Sequence, residues 1–286
     1  MRMRKSVLSL LAALVLVLAA GAALAADKAQ VLKDGADKME ALICEAEGFA
    51  MTKKVELFKE AGLAYQASLT VPVKGVIACK SKEQLRMLFG MYSFDANYAL
   101  LFGKKKEFAA AQAMVRKEIP EKLKLAGKMK VKGMTPDELK KVAEDPTSPA
   151  NRELFMKYVI ANIHDFIAQS AKDPAMMDLM VDSFYGAAIH GLYVSCKLAL
   201  GAGVGDKLVV VFNEQASRLD KANQLVEAYA GNKELMALVE KDQRQKVLGP
   251  ALALLKEKKG NLSEADVKKI LALIEPEHAA LIKACK

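Results

Sequence analysis

A recurring helix-start signal, followed each time by apolar residues at helical spacing, restricts the fold of this chain more than any other feature. Ser81-Lys82-Glu83-Gln84 has capping-box spacing, the serine as N-cap and the glutamine three residues on. Thr135-Pro136-Asp137-Glu138 combines an N-cap threonine, proline at the first helical position and acids in the first turn. Ser148-Pro149 and Asp173-Pro174 repeat the device. Behind Ser148, the residues Phe155, Val159, Ile163 and Phe166 recur at spacings of 4, 4 and 3. Phe212, Ala216, Leu219, Ala222, Val226 and Tyr229 form a second stripe of the same kind.

Period-two alternation is confined to Lys122–Lys132, which suits either a small hairpin turning at Ala126-Gly127 or a helix end running into a loop. Thr70-Val71-Pro72-Val73 reads as a second short extended piece. Neither builds a sheet. The expected fold is all-α, a single bundle of eight to ten helices. The helices expected last are 233–258 and 263–274, with a final turn beyond Pro276.

The first 25 residues belong to a different physics. Arg2, Arg4 and Lys5 precede an apolar run from Val7 to Leu24, which ends in the small-x-small triplet Ala23-Leu24-Ala25. This is the pattern of a secretory signal peptide cut before Ala26. An uncleaved membrane anchor is the competing reading, because the run is nearly long enough to span a bilayer. The chain from Ala26 to Lys286 is therefore expected in the periplasm or outside the cell.

Export makes disulfides permissible. Cys44, Cys79, Cys196 and Cys285 allow three pairings, and nearest-neighbour pairing gives Cys44–Cys79 and Cys196–Cys285. No C-x-x-C or C-x-x-C-H occurs, so thioredoxin-like redox chemistry and covalent haem attachment have no support.

The formal net charge is +9, and its excess is local. Ten basic residues lie between Lys104 and Lys132, among them Lys122, Lys124, Lys128, Lys130 and Lys132, against Glu107, Glu118 and Glu121. Such a stretch is either a solvated surface or a face for anionic lipid headgroups or an acidic protein. Nucleic acid is excluded as a partner by export and by the lack of interleaved aromatic residues.

Chemistry, if any, would sit on two helices with polar groups on apolar faces. Asp95 shares its side with Leu88, Met91, Tyr92, Tyr98 and Phe102, and His190 shares its side with Gly186 and Tyr193. A buried carboxylate must be paired or protonated. Mid-helix glycines such as Gly186 and Gly191 cost about 1 kcal/mol each and admit a close neighbour. One reading places Tyr92, Asp95, Tyr98, Tyr185, His190 and Tyr193 around a small apolar or lipid-like ligand. The other makes them a satisfied core network. No nucleophile elbow, dinucleotide fingerprint, Walker loop or metal-ligand histidine spacing is present, and no cofactor is expected. The expected function is thus non-enzymatic ligand binding between helices. The alternatives are docking through Lys104–Lys132 and, behind both, acid–base catalysis by Asp95 and His190.

Overall fold

The computed structural model describes residues 60–129, 132–145, 148–229 and 241–284, with positions 30, 32–37, 40, 41 and 58. The expected signal segment, residues 1–25, and Cys44, Lys130 and Cys285 lie outside the described residues. Nine helices are present among the described residues, and no strand. They are α1 (Lys82–Leu101), α2 (Lys105–Ala113), α3 (Ile119–Lys122), α4 (Pro136–Glu144), α5 (Pro149–Ser170), α6 (Pro174–Ala202), α7 (Val209–Tyr229), α8 (Lys241–Glu257) and α9 (Glu264–Ile282). The fold is an all-α multi-helix bundle.

The caps explain the starts. Ser81 accepts from the Gln84 amide while the Gln84 side chain accepts from the Ser81 amide, and Thr135 with Glu138 does the same. Ser263 and Asp266 form a third box at the start of α9. That helix does not stop before Pro276 but runs through it to Ile282. Pro276 is exposed, so water can solvate the carbonyl that its missing N–H leaves free. The Lys122–Lys132 stretch is a helix end and turns rather than a hairpin.

Two helices are apolar nearly all round, and that places them at the centre. In α1, Leu88, Met91, Tyr92 and Tyr98 enter the main core, while Ala96, Ala99 and Leu100 pack with Phe108, Val142, Phe155 and Met156 in a second cluster. In α6, the face from Met176 to Ala199 is buried along its whole length. The crossing of α1 and α6 is closed by glycine. A Cβ built on Gly90 would overlap the Ser183 carbonyl, and one on Gly186 would overlap the Met87 carbonyl. The two backbones touch there, which only glycine permits.

The expectation of two disulfides is corrected. Cys196 is a free thiol on the core face of α6, with no exposed surface. Burial, against the pull of neighbouring Lys197, raises its pKa to about 12 and leaves it inert. Its position among core side chains is the reason it bridges nothing. Cys79 is disulfide-bonded, and with Cys196 free only one bridge fits the four cysteines. The intact mass of the protein is therefore expected two hydrogens below that of the reduced chain. A deficit of four would restore the two-bridge scheme.

Candidate functional site

Asp95 on α1, His190 on α6 and His278 on α9 form one hydrogen-bonded column. His190 Nε2 lies 2.7 Å from Asp95 Oδ1, and His190 Nδ1 lies 2.9 Å from His278 Nε2. Asp95 Oδ2 accepts from the Val71 amide at 2.8 Å. The hydrogen-bond geometry orders the proton roles along the column. His190 donates from Nε2 to Asp95, and its Nδ1 accepts from His278 Nε2–H. All three residues are at most 3% exposed.

Stacking continues the column outward. The Tyr193 ring lies on His278 with centroids 3.7 Å apart, and Lys197 Nζ sits 5.5 Å from the Tyr193 centroid. Lys197 pairs with Glu275 at 2.8 Å, where the column reaches solvent. Burial, with His190 and Lys197 nearby, lowers the His278 pKa to about 3, so this ring stays neutral.

The other tyrosines serve elsewhere. Tyr92 donates to the Pro72 carbonyl at 2.8 Å, and Tyr98 accepts from the Gln66 amide at 3.0 Å. Together with Asp95 they tie the segment 64–72, with its 3-10 turn at Ala67–Leu69, onto α1. The Val71 amide, assigned to an extended piece by sequence, thus finds a carboxylate instead of a strand. Tyr185 belongs to a separate ionic cluster, donating to Glu277 Oε1 at 2.5 Å. Of the six residues proposed to line a ligand site, Asp95, His190 and Tyr193 come together in the column, Tyr92 and Tyr98 bond the segment before α1, and Tyr185 joins the ionic cluster. Both Asp95 oxygens, both His190 nitrogens and His278 Nε2 are bonded inside the chain.

Four participants carry no signal that singles them out in the sequence: His278, Arg244, Arg86 and Gln215. His278 was hidden by reading Pro276 as a helix stop, although it falls on the stripe Val267, Ile270, Ile274, His278, Leu281. Arg244 on α8 is 2% exposed, and its Nη2 meets Asp182 Oδ1 at 2.7 Å and Glu83 Oε1 at 2.9 Å. Arg86 Nε closes the other side of Asp182 at 2.6 Å. Gln215 on α7 is fully buried, and neither its amide oxygen nor its nitrogen has a hydrogen-bond partner among the described residues. It faces Gly191, whose missing side chain makes room for it: a Cβ there would lie 3.1 Å from Gln215 Oε1.

The ionic cluster gives the fold an unusual response to pH. Burial, with Asp182 and Asp173 nearby and against Arg86, raises the Asp178 pKa to about 6 from 3.8. The folded state then holds that proton more tightly, so this group stabilises the fold as pH falls from about 6 to 3.8. His278 acts with opposite sign. Its folded pKa of about 3 lies below the ordinary 6.5, so the unfolded chain gains the proton first and stability falls across that window. The two oppose each other between about 4 and 6. Asp178→Asn is expected to stabilise the protein at pH 7 by about 1–2 kcal/mol. Its stability should then decline more steeply with acid than that of the parent. Denaturation curves from pH 4 to 8 would show this, and a variant with no gain at neutral pH would refute it.

The basic stretch divides in two. Lys128 pairs with Asp173 at 2.6 Å and Lys132 with Asp165 at 3.0 Å, and the Lys132 backbone is held by Asn162 of α5. Upstream, Lys104, Lys105, Lys106, Arg116, Lys117, Lys122 and Lys124 are exposed and form no ion pair among the described residues. No group of acids, histidines and cysteines suited to a metal ion occurs among the described residues. No family model, curated protein or solved structure matches this chain.

Proposed function

We propose that this is an exported, non-catalytic helical protein that works through its basic surface rather than through its core. The observation that carries the reading is the closure of the Asp95–His190–His278 column. A general acid or base must reach a substrate proton. Here the carboxylate and the first imidazole are bonded on both sides and buried, which supports a role in holding α1, α6 and α9 together. The touching backbones at Gly90 and Gly186 likewise support a filled interface between α1 and α6, where a ligand would otherwise lie. No helix among the described residues is long and apolar enough to cross a membrane. Contact with the envelope would then be peripheral.

The test is retention. The exported chain should stay with its host's envelope fraction at low salt, and a Lys105→Gln/Lys106→Gln/Lys117→Gln variant should be released. Equal retention of the variant would sink the reading.

One observation favours a second reading. Gln215 offers a buried donor and acceptor with no partner, beside Gly191 and the Phe94 ring. An unmade pair of this kind costs about 1–3 kcal/mol. A small amphipathic ligand between α6 and α7, its polar end on Gln215, would relieve it. Native mass spectra of protein purified from its own host would carry that ligand as an added mass; bare protein would remove this reading.

A further inference from the structure

We propose that the partner of the basic surface is an anionic bilayer, on which the segment Lys104–Lys124 seats the protein. This rests on the surface reading above and names its partner. The segment is a helix in three parts: α2, a π-helical turn at Met114–Glu118, and α3. Its inner side carries Phe108, Ala111, Met114 and Ile119, all buried. Met114 and Ile119 are five residues apart, a spacing that would leave one face of an α-helix. The wider π turn keeps both in the core. Arg116 and Lys117, lying between them, are consequently left outside.

The outward line runs Lys106, Ala109, Ala113, Arg116, at spacings of 3, 4 and 3, and all four are exposed. Small residues thus separate the cations at the two ends, and nothing bulky stands between that line and a flat surface. Lys105, Lys117, Lys122 and Lys124 flank it, and Glu107 and Glu121 are the exposed acids of the segment.

The composition of this face separates a bilayer from a protein partner. Six of the seven exposed cations of the segment are lysines, and one of these, Lys104, lies over the Tyr65 ring at 5.6 Å. Lysine is a hydrated point charge, suited to a diffuse field and poor at the bidentate pairing that fixes a protein partner. Protein interfaces deplete lysine and rely on aromatic or large apolar anchors. The large hydrophobic residues exposed among the described residues are Val73 and Val210, and neither lies on this segment. A fluid anionic surface needs no such anchor, only positive charge within a Debye length.

Co-sedimentation of the exported chain with phosphatidylcholine vesicles, with and without phosphatidylglycerol, tests the inference. Binding is expected only to the anionic vesicles and should fall steeply as salt is raised. Each lost cation is expected to weaken partitioning about fivefold, so Lys105→Gln/Lys106→Gln/Lys117→Gln should weaken it about a hundredfold. Lys268→Gln, on α9, should leave it unchanged. Unchanged circular dichroism would confirm that the triple variant folds. Equal binding to both vesicle types, or a triple variant that binds as the parent does, would overturn the proposal. If the parent ignores anionic vesicles while the triple variant is still released from the host envelope, the bilayer falls and an acidic protein takes its place. If the variant is neither weakened on vesicles nor released from the envelope, the surface reading falls with it.

Discussion

Gly186→Ala is expected to destabilise the protein by roughly 3 kcal/mol or more, and Gly90→Ala by a similar amount. Each added methyl would overlap a backbone carbonyl of the facing helix, Met87 for Gly186 and Ser183 for Gly90. A side-chain tip can swing aside; a carbonyl within a buried helix cannot move without its neighbours. The helices must therefore separate, and separation loosens contacts along both. Because α1 and α6 also carry Asp95 and His190, the hydrogen bond between them would lengthen with the same shift. In thermal denaturation the loss corresponds to about 6–12 °C. Gly249→Ala gives the internal contrast, since nothing lies within 4 Å of its added methyl in α8. That change should stabilise by about 0.5–1 kcal/mol through helix propensity. If the three variants shift stability alike, the close approach of α1 and α6 is not what holds this crossing.

The second large effect is Asp95→Ala, expected to cost about 3–5 kcal/mol. Two buried donors, the Val71 amide and His190 Nε2–H, lose their acceptor at once. Each orphaned donor carries a desolvation penalty of about 1–3 kcal/mol. Asp95→Asn should be milder, because its amide oxygen can still accept from His190. His190→Ala removes the same bond from the other side, so the double variant should cost less than the two singles together. A coupling of about 2 kcal/mol is expected in that cycle. Additive losses would mean that the 2.7 Å contact contributes nothing.

Local chemistry was legible before the fold was known, and partners across the chain were not. The capping boxes at Ser81 and Thr135 act within four residues, so their sequences suffice to locate α1 and α4. The cost of Gly186 inside a helix likewise points to a close neighbour. Placing polar groups on apolar faces singled out Asp95 and His190, though not the bond between them. The partners of Arg244 lie 161 and 62 residues away, at Glu83 and Asp182, and no local pattern encodes such pairings. Cys196 was misread because export licenses a bridge without requiring one, and burial decided the matter. Lys128 and Lys132 looked equivalent to Lys122 and Lys124 in sequence, yet acids on neighbouring elements claim the first two. Binding capacity is what a charge retains after the fold has used its share.

Envelope retention of Asp95→Asn, compared with that of the parent chain at equal folded fraction, tests most directly whether the work is done at the surface. The polar column is altered in this variant while Lys104–Lys124 is untouched. Retention equal to the parent's, despite a lower melting temperature, is the result predicted here. A folded variant that leaves the envelope would place Asp95 in the working site and contradict the scaffold role assigned to it.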